Sequence, residues 1–245
     1  MSTAKVKIIK LSVVSSTNDY LKNLAREGAD SNTIVIADKQ TGGKGTKNRS
    51  FISEKGGVYL SILVKPDKTG FDVTLITPMT AVAVSDTIEQ ISGVKADIKW
   101  VNDVYIADKK AAGILCESVI MPNGVMPYII VGIGVNLFLP QGGFSDPIKD
   151  IATNVFEDYD EDKKQLFIKL LIENFYKYYD NLDKKTFFEK YINRSCVVGK
   201  NILVSTGDGW VKAYAKNIDE KCRLVVRYDD ETTKTLSSGE VSIKI

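Results

Sequence analysis

The chain has 245 residues, 44% of them hydrophobic, enough to bury one large core and a small second one. Its 33 basic and 31 acidic residues leave a net charge of +2, so nothing global marks a nucleic-acid binder or an acidic tail, and any basic site must be local. There is no histidine, which removes Ser-His-Asp and Cys-His catalysis and His-ligated zinc and leaves the chemistry to Lys, Arg, Asp, Glu and the backbone.

Taken in chain order, Val6 to Val14 predicts a strand, followed by the cap candidates Ser15-Ser16-Thr17-Asn18-Asp19 and a helix carrying Tyr20, Leu21, Leu24 and Ala25, closed by Gly28. Thr33 to Ala37 predicts a short strand that leads into Gln40-Thr41-Gly42-Gly43-Lys44-Gly45-Thr46-Lys47-Asn48-Arg49. This segment holds three glycines and three cations and no acid. Glycines let backbone N–H groups turn toward a ligand, and the cations add fixed charge, so it reads as an anion cradle or as a basic surface turn. It is neither a nucleotide P-loop nor a Gly-x-Gly-x-x-Gly fingerprint, because Asn48 stands where the last glycine belongs. Val58 to Val64 predicts the strand that leaves it, ended by Pro66, and Thr74 to Ile91 a helix apolar nearly all round, as for a helix packed on a sheet.

From Lys95 to Leu137 the pattern predicts a meandering antiparallel sheet: Asp97 to Trp100, Val104 to Ile106, Ala111 to Val119 and Pro127 to Leu137, with turns at Ala107-Asp108-Lys109 and Met121-Pro122-Asn123-Gly124. Helices follow over Asp162 to Leu182 and Lys184 to Ile192. After Asn193 about five short strands, with turns at Gly207-Asp208-Gly209 and Ser237-Ser238-Gly239 among others, predict a small barrel. The fold class is α+β, a mixed and mostly antiparallel sheet flanked by helices, with domains at 1–193 and 194–245. Cys116, Cys196 and Cys222 are widely spaced and fit a reduced cytoplasmic protein better than a disulfide framework. No signal peptide and no apolar stretch of the roughly eighteen residues a membrane span needs is visible.

Two more segments carry chemistry. Lys99-Trp100-Val101-Asn102-Asp103 precedes Lys110-Ala111-Ala112-Gly113-Ile114-Leu115-Cys116-Glu117, and a hairpin of that length can bring Lys110 to Asn102 and Asp103. Beside the glycine-rich loop, that pairing would offer a carboxylate for Mg²⁺ and lysines for phosphate oxygens; away from it, the two are a turn and a hairpin tip. Val131-Gly132-Ile133-Gly134-Val135-Asn136 is a strand with two glycines, which signal either close approach of a ligand or a packing bulge.

Together these motifs resemble the signature of the biotin protein ligases: Gly-Arg-Gly-Arg-x-Gly-Arg-x-Trp, Lys-Trp-Pro-Asn-Asp, Arg-Lys-x-Ala-Gly-Ile-Leu-x-Glu and Gly-Ile-Gly-Ile-Asn. Ser16-Thr17-Asn18 also matches the family's Ser-Thr-Asn, and the resemblance runs from about residue 12 to the C-terminus. It implies a core like that of the class II synthetases, an SH3-like C-terminal barrel, and a two-step reaction. ATP activates biotin to biotinyl-5′-AMP, and a lysine of a biotin carboxyl carrier protein domain, such as that of acetyl-CoA carboxylase, accepts the biotin. No prosthetic group is implied.

By the same resemblance Ser16, Thr17 and Gln40 bind the biotin ureido ring with Asn18 beside them, and Gly113 and Gly132 line the biotin pocket. Lys44, Gly45 and Thr46 fold across biotin and the adenylate, and Lys44 takes part in catalysis. Lys110 contacts the carboxylate and α-phosphate. Asn102 and Asp103 position Lys110, phosphate or Mg²⁺, while Gly43, Lys47, Arg49, Phe51 and Asn136 serve the nucleotide. Lys44, Thr46, Asn48, Phe51 and Val101 depart from the signature; Thr46 lacks the family's charge, which implies weaker retention of the adenylate. The loop is expected to be mobile until ligand binds. The few residues before the first strand leave no room for the DNA-binding domain of some relatives, so specific DNA binding is not expected. The protein is expected as monomer or homodimer. A lipoate or octanoate ligase of the same fold, or a weakened adenylate-binding regulator, are the alternatives.

Overall fold

The computed structural model describes residues 6–65, 72–119, 128–206, 209–238 and 241–243. In chain order the first unit comprises β1 (Lys7–Val14), α1 (Thr17–Arg26), β2 (Thr33–Gln40), β3 (Val58–Val64), α2 (Ile76–Ser92), β4 (Asp97–Lys99), β5 (Asp103–Ile106), β6 (Lys109–Val119), β7 (Tyr128–Val135), α3 (Glu161–Tyr179) and α4 (Phe188–Asn193). Its seven strands form one sheet in the order β1-β2-β3-β7-β6-β5-β4. Only β1 and β2 run parallel, with α1 as the crossover; every other pair is antiparallel. The mixed sheet and the β4–β7 meander match the expected fold class.

Both faces of the sheet are covered, which is why β3, a continuous apolar run broken only by Ser61, is buried at all seven positions. On one face Leu21 and Ala25 of α1 pack on Val35, Leu63 and Ile130. On the other lie α2 and α3, and α2 is buried from Pro78 through Ile88 before ending at Gly93, whose φ of 71° suits glycine. The expected helix at 74 begins instead with a 3₁₀ turn, Val73–Leu75, because Asp72 Oδ1 accepts from Thr74 N (3.0 Å). The helix expected over 184–192 is also shorter. A 3₁₀ turn over Leu182–Lys184 is broken by Lys185 at φ 50°, and α4 starts only at Phe188.

The C-terminal unit has β8 (Asn201–Thr206), β9 (Gly209–Ile218), β10 (Leu224–Tyr228), β11 (Thr233–Leu236) and β12 (Val241–Ile243), five antiparallel strands in the order β11-β10-β9-β8-β12. Pro66 and the expected turn residues at 121–124, 207–208 and 239 lie outside the described residues. The connector between units is laid along β4: Ile98 N donates to Arg194 O (2.7 Å) and Cys196 N to Ile98 O (3.0 Å). Trp100 Nε1 donates to Cys222 O (3.0 Å), joining the end of β4 to the barrel. Behind the connector, the buried Asp86 carboxylate accepts from Tyr178, from Lys190 (2.8 Å) and from Arg194 (2.6 Å), tying α2, α3 and α4 together.

Candidate active site

The glycine-rich segment closes on itself. Phe51 N donates to Gly43 O (2.9 Å), Gly45 N to Arg49 O (2.7 Å), and Gly42 N to Ser15 O (2.8 Å), so the loop is pinned to the start of α1. The acid absent from the loop's own sequence comes from α1: Lys44 Nζ lies 2.7 Å from Asp19. Its first cation is therefore paired, and part of its backbone amides are spent within the loop. Arg49 folds back on Thr46, with Nη2 3.3 Å from Oγ1, and places a guanidinium against the position that lacks charge.

At the head of α1, Ser16, Thr17 and Asn18 are buried polar residues, and Ser16 caps the helix by accepting from Asp19 N (3.4 Å). Gln40 Oε1 accepts from Thr17 N (2.8 Å) and Thr17 Oγ1 (3.1 Å), while its Nε2 donates to Ser53 Oγ (2.9 Å). Ser61, fully buried in β3, reaches Thr17 Oγ1 (2.8 Å) and Asn18 Oδ1 (2.6 Å). Asn18 Nδ2 donates to Glu117 Oε2 (2.7 Å), and Lys22 Nζ to Glu117 Oε1 (2.5 Å).

The glycines of β6 and β7 make room for this arrangement. A Cβ at Gly132 would stand 2.3 Å from Asn18 Oδ1, and one at Gly134 2.7 Å from the Phe51 ring. Gly113 is the register partner of Gly134 and also lies under Phe51, where a Cβ would come within 3.2 Å of the ring. Gly43 is equally tight, its hypothetical Cβ 2.3 Å from Phe51 O. At Gly132 and Gly134 the close approach is made by the protein's own side chains, and β7 keeps a regular register through both, without a bulge. Gly132 and Gly134 are two residues apart on one strand face, so the polar cluster and the ring over Gly134 are separated by about 7 Å.

At the far side of Phe51, Lys110 Nζ sits 5.7 Å from the ring centroid and 2.7 Å from Asp103 Oδ1. The latter contact is electrostatic rather than an aligned hydrogen bond, and Asp103 Oδ1 is buried without a donor among the described residues. Asn102 holds the turn onto β6: its Nδ2 donates to Ile114 O (2.9 Å) and Ile114 N to Asn102 O (2.9 Å). Asn136 donates from Nδ2 to Thr153 O (3.2 Å) and Lys110 O (3.4 Å), so its amide N–H groups are engaged in supporting the strand that carries Lys110.

The structure therefore brings Ser16, Thr17, Asn18, Gln40 and Gly132 together, and brings Phe51, Gly113, Lys110, Asp103 and Asn102 together beside them. Lys44 is paired away from Lys110, to Asp19. Ser61, Ser53 and Lys22 are members the sequence reading did not assign, and Glu117 was quoted only within a motif. Ser61 carries a signal, a lone serine in the run Val58 to Val64, whereas Lys22 has none. Among the described residues no three His, Cys, Asp or Glu side chains converge as a metal cage. A cavity of about 500 Å³ lies elsewhere, on the C-terminal sheet between Tyr214 and Tyr228. Among the described residues no helix is long and apolar enough to cross a membrane.

Residues 11–136 match the profile of the biotin/lipoate A/B protein ligase family, and residues 197–244 that of the biotin protein ligase C terminal domain. The chain is 32% identical over 239 residues to the bifunctional ligase/repressor BirA of Bacillus subtilis, covering 94% of this chain and 72% of that protein. It is 28% identical over 225 residues to the biotin–acetyl-CoA-carboxylase ligase of Paracoccus denitrificans, covering 89% and 92%. Among solved structures, the biotin protein ligase from Aquifex aeolicus in complex with biotin and ATP superposes with a TM-score of 0.76 at 27% identity, covering 97% of this chain and 98% of that one.

Proposed function

Because the chain belongs to the biotin/lipoate A/B protein ligase family, we propose that it is a biotin protein ligase, activating biotin with ATP to biotinyl-5′-AMP and transferring it to a lysine of a biotin carboxyl carrier protein domain. Residues 1–193 form the catalytic unit and 194–245 the barrel domain. The observation that carries the reading is the polar cluster of buried Ser16, Thr17, Asn18 and Ser61 with half-buried Gln40, whose Asn18 lies against Gly132 on the glycine floor that also holds Lys110. A cyclic urea offers N–H and C=O groups that can add hydrogen bonds to such a cluster, whereas a dithiolane head offers it none.

In the first step a biotin carboxylate oxygen attacks the α-phosphorus of ATP and pyrophosphate departs. Two anions must meet, so the barrier falls when fixed positive charge sits between them. Lys110, held by Asp103 at one end of the floor, supplies it. In the second step the acceptor lysine amine attacks the carbonyl carbon of the mixed anhydride and AMP leaves. Neither step needs a protein nucleophile, which suits a chain without histidine. Phe51, over Gly134 and Gly113, together with Gly43, Lys47, Arg49 and Asn136, borders the nucleotide, and Lys44, Gly45 and Thr46 cover the adenylate. Mg²⁺ would arrive with ATP and neutralise phosphate charge, and Asp103, whose Oδ1 is already paired with Lys110, is the carboxylate beside the floor that would meet it.

The test incubates the protein with ATP and Mg²⁺, labelled biotin or labelled lipoate, and a carboxylase carrier domain. Protein-bound biotin label is expected. Lipoate label alone would move the assignment to the lipoate branch, and neither label would leave an adenylate-binding role.

A further inference from the structure

We infer that Lys99 binds the pyrophosphate that departs from ATP in the first step, at the end of the floor away from biotin. The inference rests on the biotin reading. Residues paired across neighbouring strands share a face of the sheet, and one such row crosses the floor: Gly134 opposite Gly113, Gly113 opposite Asp103, and Asp103 opposite Lys99. The irregularity between β5 and β6 falls between Val104 and Tyr105 and leaves this row intact. With strands about 4.8 Å apart, the Lys99 backbone stands about 10 Å beyond Gly113. The Lys110 ammonium lies over Gly113, 3.1 Å from where a Cβ would be, so the two lysines stand on either side of Asp103.

Their charges are used differently. Lys110 is paired with Asp103 (2.7 Å), whereas Lys99 turns to Tyr105, donating to its phenol oxygen (3.3 Å) with the ammonium 5.2 Å from the ring centroid. Among the described residues Lys99 forms no ion pair with a carboxylate. A lysine on a bare edge strand can keep other chains off, but β4 is already covered by residues 194–196, so that role does not account for it. In the first step the bond from the biotin carboxylate oxygen to the α-phosphorus forms as the bond from that phosphorus to the β-phosphate oxygen breaks, and the electron pair leaves on pyrophosphate. Attacking and leaving oxygens are roughly in line. Biotin enters from the Asn18 and Gly132 end and the α-phosphate meets Lys110, so the leaving oxygen departs along the row toward Asp103 and Lys99. Asp103 alone would repel it. With an ammonium on each side the row is net positive, and Lys99 meets the charge that grows on the leaving group.

The experiment follows the two half-reactions of the full chain separately. In pyrophosphate release from ATP and biotin, Lys99→Met is expected to lower kcat/KM for ATP by about 10- to 100-fold and to weaken inhibition by added pyrophosphate in proportion, the range for losing a charged contact to phosphate. Transfer of biotin from supplied biotinyl-5′-AMP to the carrier domain involves no pyrophosphate and is expected to stay within about 2-fold of wild type, while Lys99→Arg keeps most of the first step. A first step left unchanged, both half-reactions falling together, or pyrophosphate inhibition that does not weaken would overturn the inference. Should Lys99→Met fail to fold, acylation of the wild-type lysines with and without Mg²⁺-pyrophosphate, read by mass spectrometry, decides the matter. Lys99 is expected to be shielded while Lys95, whose side chain is 76% exposed, stays reactive, and no shielding of Lys99 overturns the inference equally. Failure of wild type to release pyrophosphate from ATP and biotin would refute the functional reading instead.

Discussion

Replacing Gly132 by alanine tests the packing on which the site is built. The added Cβ would lie 2.3 Å from Asn18 Oδ1 and 2.8 Å from Nδ2, about 1 Å inside normal contact, so the amide must shift by about that much. Contacts of 2.6 Å to Ser61 and 2.7 Å to Glu117 do not survive such a shift. The second is charge-assisted and worth about 1.5–3 kcal/mol, and the first about 1 kcal/mol, which together predict a loss of about 3 kcal/mol. For a chain of this size that is a fall in Tm of about 6–12 °C. Urea unfolding followed by tryptophan fluorescence gives the free energy, and binding of labelled biotin should be lost in parallel. Gly134→Ala is the internal control: the atoms nearest its Cβ all belong to the Phe51 ring, a side chain rather than backbone, so less than about 1 kcal/mol is expected. A Gly132→Ala protein within about 0.5 kcal/mol of wild type would refute the argument, because the glycine would then not be holding the space for Asn18.

Lys110→Met should reduce biotinyl-adenylate formation by about 10²- to 10³-fold, read as pyrophosphate release. Asp86 accepts from Lys190, Tyr178 and Arg194; burial pushes its carboxyl up, but these bonds outweigh it and hold it below the usual carboxylate range. The folded state therefore binds fewer protons than the unfolded one, so this stabilisation is complete above the unfolded pKa of about 3.9 and is lost as pH falls through the folded value. Asp86→Asn should cost about 2–3 kcal/mol at pH 7 and flatten the acid limb of a stability profile below about pH 4; an unaltered profile would remove Asp86 from the account. Burial pushes the Cys116 and Cys196 thiols up to about 11 and that of Cys222 to about 12, so alkylation at pH 8 should be slow in the folded protein and rapid in denaturant.

The elements that carry chemistry were legible because each motif sits where a strand meets a turn, and local signals set such places. Lys110 beside Asp103 follows from the short hairpin, in which Lys110 stands opposite Tyr105 and Asp103 opposite Gly113 with one irregularity between them. What local signals do not carry is pairing at a distance. Ser61 reads as one polar residue in an apolar strand, and only the pairing of β3 with β7, some seventy residues on, sets it opposite Gly132. Asp19 looks like a first-turn acid on α1, yet it neutralises Lys44 because the loop after β2 folds back onto the cap. The break at Lys185 was hidden because lysine is an ordinary helix former and nothing in its neighbourhood marks a positive φ.

The connector laid along β4 has a consequence for the molecule as a solute. The sheet has two outer strands; β1 leaves Ile8 and Val13 about half exposed, while β4 is covered by residues 194–196 and by the contact between Trp100 and Cys222. A shortened protein ending before the connector would bare the β4 backbone and a tryptophan at once. Such an edge offers a template to other chains, so the truncated form should be lost first to aggregation, before any defect in its chemistry could be measured.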